Sequence, residues 1–544
     1  MTDYKAPVED ILFALRTGAD VTRLADWNDE LAEQVLYEAA RLIDSEIAPI
    51  DPVCDATPAQ LANGRVTLAP CMGTAYSAFC QAGWPGIVIE ESYGGQNLPH
   101  VLGSAISEML SGACMSLQML LSLGQGTMQT ILAHGTDEQK RQYLPKLASG
   151  KWLSTMCLTE PDAGSDLSRI RTMATPQDDG SWRIDGGKIF ITGGDHDLTD
   201  NIIHLVLART PDAPPGVKGL SLFVCPARLD TGERNRLSVV RLEEKMGLHA
   251  APTCQMSFEG AQAEILGQPG EGLARMFTMM NATRLDVAVQ GVGQSQVAMQ
   301  RAHQHAVERR QGGDGTRTIN QHGDVQRMLL TQSALTMGCR ALCYRTDVEL
   351  ELNPESPLGA FLTPVCKAFS TDTATEVANL SLQVHGGYGY CREYRVEQTL
   401  RDCRITGIYE GTNGIQAMTL AGRMARIKEG ECAKAFHDSI EEGAMTPALQ
   451  KALESWSQAT DFVQRMEDPG LVAKPYLRLT GLVALGSAWA RMVENADKSH
   501  HPDRIRTIGS YYQTALLPEA SYLSQTLMDV TQYNQIDTSI FEVT

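Results

Sequence analysis

The chain has 544 residues, long enough for several domains and a sizeable core. Hydrophobic residues at 43% and charged residues at 20% exclude a mostly disordered chain. Lys plus Arg number 46 and Asp plus Glu 65, a net charge of −19, which excludes a general nucleic-acid or anionic-membrane binder and leaves room for a local basic pocket.

In chain order, residues 1–10 are polar and partly acidic, unlike a signal peptide. The 13 Cys are odd in number and form no CxxC pair, so they read as free thiols of a cytoplasmic protein. Apolar residues at Leu31, Val35, Ala39, Leu42, Ile43 and Ile47 mark a helical stripe. Residues 79–99 are Gly- and Pro-rich and predict a structured loop. The longest uncharged stretch, 109–136, is broken by Ser, Gln and Gly, which predicts a buried helix pair and no membrane insertion.

From 151 to 267 the periodicity shortens to that of strands. Asp185-Gly186-Gly187 between apolar runs predicts a hairpin, and 201–209, 219–226 and 254–258 predict further strands. Residues 272–310, 325–351 and 358–384 predict long helices, with Pro354 and Pro357 marking one turn. Cys339 and Cys343, one helical turn apart, read as two buried small side chains, and no metal ligands are assigned. After Glu431 the chain reads as helical, with breaks near Pro469-Gly470, Pro475 and Pro502. The expected layout is α+β: an N-terminal helical domain (1–155), a central β domain (156–268), a helical bundle (269–430) and a helical extension (431–544).

Three segments carry chemistry. In the first, Met156 to Asp166, Pro161 ends a strand, Gly164 permits close backbone approach, and Thr159 and Ser165 offer hydroxyls. A polar turn and a phosphate- or ring-binding turn both fit. In Lys188 to Gly194, strand alternation sets Phe190 and Thr192 on one face, suited either to a core or to a planar ligand. In Arg401 to Gln416, Thr412 is a good N-cap and Gly411 allows close approach. Glu410 then reads either as a partner of the helix dipole or as a base facing a pocket.

Together, Thr-Glu-Pro-Asp-Ala-Gly-Ser-Asp (159–166), Lys-Ile-Phe-Ile-Thr-Gly-Gly (188–194) and Tyr-Glu-Gly-Thr-Asn-Gly-Ile-Gln (409–416) resemble the flavin-dependent acyl-CoA dehydrogenases. Residues 383–389 and 307–310 resemble two further motifs of that family. Tyr4-Lys-Ala-Pro, residues 193–204 and 245–254, and the extension are similar to a long subfamily acting on 3-methylmercaptopropionyl-CoA, a thioester of dimethylsulfoniopropionate breakdown.

The resemblance implies a helical domain, a β-barrel-like domain and a four-helix bundle, with FAD between the last two. It implies α,β-dehydrogenation of an acyl-CoA to the trans-2-enoyl-CoA. Glu410 would take the α-proton while its own N–H and the flavin ribityl chain bond the thioester oxygen. Met156, Cys157, Leu158, Thr159, Gly164, Ser165, Phe190, Ile191, Thr192, Thr412 and Gly414 would meet FAD, with Phe190 where many relatives have Trp. Ser165, Asn281, Arg284 and Gly411 would meet the substrate. Thr283, where a subgroup places its base, cannot serve. Arg309, Gln383, Gly386 and Gly387 would reach the FAD of a neighbouring subunit, which implies a homodimer; relatives follow the arginine with Thr-Phe-Gly, where this chain has Gln311-Gly312-Gly313. An electron-transfer flavoprotein is the implied acceptor. A short- or medium-chain fatty acyl-CoA dehydrogenase, an acyl-CoA oxidase and a non-catalytic scaffold are the alternatives.

Overall fold

The computed structural model describes residues 4–312, 315–529 and 538–542; Gly313 therefore lies outside the described residues. The chain divides into two units. The first holds Met1–Ala6, Asn28–Asp286 and Glu397–Asp402, and the second holds Pro7–Trp27, Val287–Val396 and Cys403–Thr544.

The first unit opens with the helix Asp29–Leu42, capped by the Asn28 side chain, which accepts from the Leu31 N–H at 3.0 Å. Its buried stripe is Ala32, Leu36, Ala39 and Ala40, continued by Ile43 and Ile47. Leu31, expected on that stripe, is exposed, because the inward face runs one position later. A short hairpin, β1 (Gln60–Ala62) and β2 (Arg65–Thr67), precedes the helix Pro70–Gln81. Residues 82–99 form the expected loop, built on two 3-10 turns. The uncharged stretch folds as the helices His100–Ala113 and Met115–His134, separated where Cys114 turns extended. No helix among the described residues is long and apolar enough to cross a membrane.

Seven strands follow: β3 (Trp152–Cys157), β4 (Met173–Pro176), β5 (Trp182–Thr192), β6 (Asn201–Arg209), β7 (Leu220–Pro226), β8 (Leu237–Leu242) and β9 (Thr253–Ile265). The pairings β6-β4-β5-β9-β7 return to β6, closing a barrel-like ring, with β3 added parallel to β6 and β8 antiparallel to β9. Eight of the nine β6 residues are buried, which explains its unbroken apolar run. The hairpin expected at Asp185-Gly186-Gly187 does not form: β5 runs straight through it beside β9, with a register slip at Ile184/Asp185. The reversal lies one Asp-Gly earlier, where Gly180 has φ 83° and the Gln177 N–H donates to the Ser181 carbonyl. Pro161 does not end a strand either; β3 stops at Cys157.

The second unit is helical, and the helix Gly272–Glu308 enters it at Val287. The helices Gly323–Leu352 and Pro357–His385 bury most of their length, Cys339 and Cys343 included. Thr412 caps the helix Asn413–Met418, which continues as a wider π turn to Met424. The extension contributes Pro447–Arg465, Gly470–Glu494, Pro502–Tyr511 and Glu519–Asp529. Pro475 does not break a helix: it sits in the second turn of Gly470–Glu494, where its missing N–H removes a single helical bond. The Trp489 indole donates to the Ala334 carbonyl at 3.0 Å, tying the extension to the helix Gly323–Leu352.

Candidate active site

In the first unit, a buried ion pair joins two of the three motifs. Lys188, wholly buried, donates from Nζ to Glu160 Oε1 at 2.8 Å and to the Leu158 and Leu207 carbonyls at 2.9 and 2.8 Å. Glu160 also accepts from the Thr172 N–H at 3.1 Å, the Thr172 hydroxyl at 2.6 Å and the Arg171 N–H at 2.7 Å. Burial opposes ionisation of Glu160, but Lys188 and these donors outweigh it and hold the carboxyl below its usual range. Beside this pair the Ile189 N–H donates to the Thr159 carbonyl at 2.9 Å, so residues 156–159 and 189–192 adjoin.

Along 156–159, Met156 and Thr159 are half-buried while Cys157 and Leu158 are buried. Burial pushes the Cys157 thiol up to about 11, so it is no nucleophile at neutral pH. The β5–β9 register slips between Lys188 and Ile191, which moves the inward position from Lys188 to Ile191. Phe190 is left 61% exposed at φ 60°, and Thr192 is half-buried. Gly164 and Ser165 lie exposed just after a turn closed by paired backbone hydrogen bonds between Glu160 and Ala163. Arg284 donates to Asn281 Oδ1 at 3.2 Å, so these two also stand together. The Thr283 hydroxyl is turned onto its own helix, donating to the Met279 carbonyl at 3.0 Å.

In the second unit, Glu410 and Gly411 form a left-handed turn with φ of 53° and 84°. A non-glycine residue there costs roughly 1–3 kcal/mol and persists only when its surroundings enforce it. They do. Gln416 Nε2 donates to the Glu410 carbonyl at 3.1 Å. Lys367 Nζ, from the helix Pro357–His385, donates to the Gly411 carbonyl at 2.8 Å and to Asn413 Oδ1 at 2.9 Å. Thr412 Oγ1 accepts from the Ile415 N–H at 3.2 Å, capping the helix that holds Gly414. A Cβ on Gly411 would lie 2.6 Å from Gln416 Nε2, so a side chain would break the bond that fixes the turn.

Arg309, just past the end of the helix Gly272–Glu308, lies with its guanidinium 5.1 Å from the Tyr388 ring centroid. Gln383 is exposed in the last turn of the helix Pro357–His385, and Gly386 at φ 60° ends it. A Cβ at Gly386 or Gly387 would meet no atom within 4 Å. These four residues thus share one neighbourhood. His305 and His385 stack beside it with ring centroids 4.3 Å apart. Burial lowers His385 to about 4, which leaves it neutral.

The donor set fits the implied FAD. A fixed cation, an exposed amide and uncrowded glycine backbone suit a diphosphate, and an outward-held phenyl ring suits a flat ring system. Sequence reasoning missed Lys367, Gln416 and the Lys188–Glu160 pair. The available signal was a lysine standing alone in an apolar run, as in Val365-Cys-Lys-Ala-Phe369.

Residues 29–151, 155–261 and 270–425 match the N-terminal, middle and C-terminal domains of acyl-CoA dehydrogenase, and 424–533 match the acetyl-CoA dehydrogenase C-terminal-like domain. The chain belongs to the acyl-CoA dehydrogenase family. It is 40% identical to the 3-methylmercaptopropionyl-CoA dehydrogenase of Ruegeria pomeroyi, with 94% of this chain and 96% of that one covered. It is 35% identical to the broad-specificity linear acyl-CoA dehydrogenase FadE5 of Mycobacterium tuberculosis, with 77% and 74% covered. The acyl-CoA dehydrogenase of Bacillus anthracis complexed with FAD shares the fold at a TM-score of 0.77, 22% identity and coverage of 95% and 90%.

Proposed function

We propose that this acyl-CoA dehydrogenase converts a short acyl-CoA thioester to its trans-2-enoyl-CoA, with the Glu410 carboxylate as the base for the α-proton. The observation that carries this reading is the enforced turn at Glu410 and Gly411, two carbonyls of which are held by buried side chains. A strained conformation kept in this way is a feature of reaction sites. The Glu410 main-chain N–H is assigned to the thioester oxygen, where negative charge grows as the α-proton leaves. Gly411 allows the thioester to lie close to the backbone. Thr283, its hydroxyl committed to the Met279 carbonyl, takes no proton.

FAD, when bound, supplies the acceptor for the β-hydrogen as hydride. Residues 156–159, Gly164, Ser165, Phe190, Ile191 and Thr192 of the first unit would hold it within one subunit. Arg309, Gln383, Gly386 and Gly387 of a second copy meet its diphosphate. That division makes the enzyme a homodimer. An electron-transfer flavoprotein takes the electrons onward, and the 13 unpaired cysteines support a cytoplasmic site of action.

Glu410→Gln keeps shape and removes the base. FAD content and the melting temperature stay at the wild-type level, while anaerobic bleaching of the flavin by acyl-CoA slows by roughly 10²–10⁴-fold. Bleaching at the wild-type rate in flavin-replete Glu410→Gln places the base elsewhere.

For the acyl group we infer 3-methylmercaptopropionyl-CoA, supported by the relative that matches 94% of the chain. The second reading, a short- or medium-chain fatty acyl-CoA, is supported by the linear acyl-CoA dehydrogenase of M. tuberculosis. Specificity constants over thioether, butyryl and octanoyl thioesters separate them. A preference for butyryl- or octanoyl-CoA rejects the first substrate and keeps the reaction class.

A further inference from the structure

Behind the Glu410 turn runs a continuous polar chain that reaches the helical extension. Lys367 is wholly buried, and its ammonium bridges the Gly411 carbonyl (2.8 Å) and Asn413 Oδ1 (2.9 Å). Asn413 in turn donates from Nδ2 to Asp372 Oδ1 at 2.7 Å and to the Thr371 hydroxyl at 2.9 Å. Asp372 forms an ion pair with Lys474, which stands on the extension helix Gly470–Glu494. The same two helices touch again at Gly481, where a Cβ would lie 2.1 Å from Cδ2 of buried Phe369. Phe369 is two residues from Lys367. The extension therefore bears on the segment that carries the lysine, by charge and by backbone contact.

We propose that Lys367 is the positioning residue of the reaction. Through Asn413 and Asp372 it fixes the Glu410–Gly411 turn, and the C-terminal extension braces it through Lys474 and Gly481. The proposal rests on the reading of Glu410 as the base. A buried ammonium is a strong, short-range donor, and it fixes the direction of the Gly411 carbonyl at the end of the left-handed turn. With the ammonium gone, the Gly411 carbonyl loses this donor and the turn is left to the Gln416 and Thr412 hydrogen bonds, so the Glu410 carboxylate is placed less precisely. A displacement near 1 Å costs a reaction about 10²-fold. Lys367 touches no reacting atom in this scheme, so it is no catalytic residue.

The test uses purified holoenzyme and anaerobic stopped-flow reduction by butyryl-CoA and by 3-methylmercaptopropionyl-CoA, each with and without α-deuterium. Lys367→Met retains most of the volume and loses the donor. Its flavin reduction at saturating substrate slows by roughly 10²-fold. Its α-deuterium isotope effect rises, and its FAD content and affinity for a non-reducible thioether acyl-CoA analogue stay close to wild type. Lys474→Ala, on the surface, slows reduction by about two- to fivefold in the same way. A wild-type rate and isotope effect in Lys367→Met overturn the proposal. Equal losses of rate, FAD and analogue binding also overturn it, because they mark a merely structural lysine. If Lys367→Met yields no folded holoenzyme, Asp372→Asn decides alone: a slower rate with a raised isotope effect supports the chain, and unchanged values overturn it. Glu410→Gln in parallel keeps the two readings apart. Fast reduction there rejects the base, whereas a dead Glu410→Gln beside a fast Lys367→Met rejects only the positioning role.

Discussion

Lys188 Nζ stands 2.8 Å from Glu160 Oε1 inside the β domain, with side-chain exposures of 0% and 7%. Removing one member of such a pair strands a buried charge, which costs about 3–5 kcal/mol. Lys188→Met is therefore expected to unfold at markedly lower temperature and to lose FAD, since its ammonium also holds the Leu158 carbonyl. Lys188→Met combined with Glu160→Gln recovers much of the loss, because no ion is left uncompensated. Thermal unfolding with flavin content read in parallel checks this. Simple additivity of the two changes would refute the coupling.

Acid weakens the same domain for a separate reason. His196 and His204 are fully buried, and burial lowers them from the ordinary 6.5 to about 4 and about 3. The unfolded chain takes up protons below pH 6.5, whereas the folded chain refuses them until near pH 4. Stability from these groups is present above pH 6.5 and lost as pH falls toward their folded values. Melting temperature should drop between pH 7 and pH 4.5. His204→Gln, which keeps a partner for the Thr155 hydroxyl now 2.7 Å from Nδ1, should lose less over that interval. Parallel curves for the two proteins would exclude His204 as a source.

Much of the architecture was legible because it is written in local pattern. β6 and the three long helices appear where apolar periodicity puts them, and Thr412 caps as its residue type predicts. What failed was pattern without context. Asp185-Gly186-Gly187 has turn chemistry, but its neighbour β9 holds it extended, and the reversal goes to Asp179-Gly180. Pro475 looks like a helix break and is absorbed near a helix start. The stretches resembling a subfamily serve as fastenings. Asp195 accepts from Arg65 Nε at 2.9 Å and from the Val66 N–H at 2.8 Å, and the Leu248 N–H donates to Asp402 at 2.6 Å. The burial of Lys367 could be read from its apolar run, but its partners could not, because they lie 44 and 46 residues away, a distance no local pattern spans.

Arg309 tests the proposed sharing of the cofactor site. Its guanidinium lies over Tyr388 beside the Gly386-Gly387 backbone, a permanent planar cation suited to a diphosphate. Arg309→Ala should raise the FAD dissociation constant by roughly tenfold or more, the equivalent of a charge-assisted hydrogen bond. If a second copy completes the site, flavin should also be lost more readily on dilution. Sedimentation of wild type and variant, with absorbance followed at flavin wavelengths, reads both quantities. A monomer carrying stoichiometric FAD would refute sharing, and so would full flavin retention by the variant at high dilution.

At Gly481 the extension packs directly on the segment that carries Lys367. A methyl group there would overlap the Phe369 ring, with Cδ2 at 2.1 Å and Cγ at 2.6 Å. The ring is itself buried, so it cannot swing aside without displacing its neighbours. Gly481→Ala should therefore destabilise by about 1–3 kcal/mol, the usual cost of overpacking. Gly443→Ala, also in the extension, brings no atom nearer than 3.5 Å to the new methyl and should be close to neutral. The two variants share the gain of a methyl and differ in where it presses. If the extension braces the catalytic turn, folded Gly481→Ala holoenzyme reduces its flavin more slowly than Gly443→Ala at a temperature where both are fully folded. Unfolding curves establish that temperature, and stopped-flow reduction at it decides. Equal rates in the two would show that the extension adds stability alone and leaves the turn untouched.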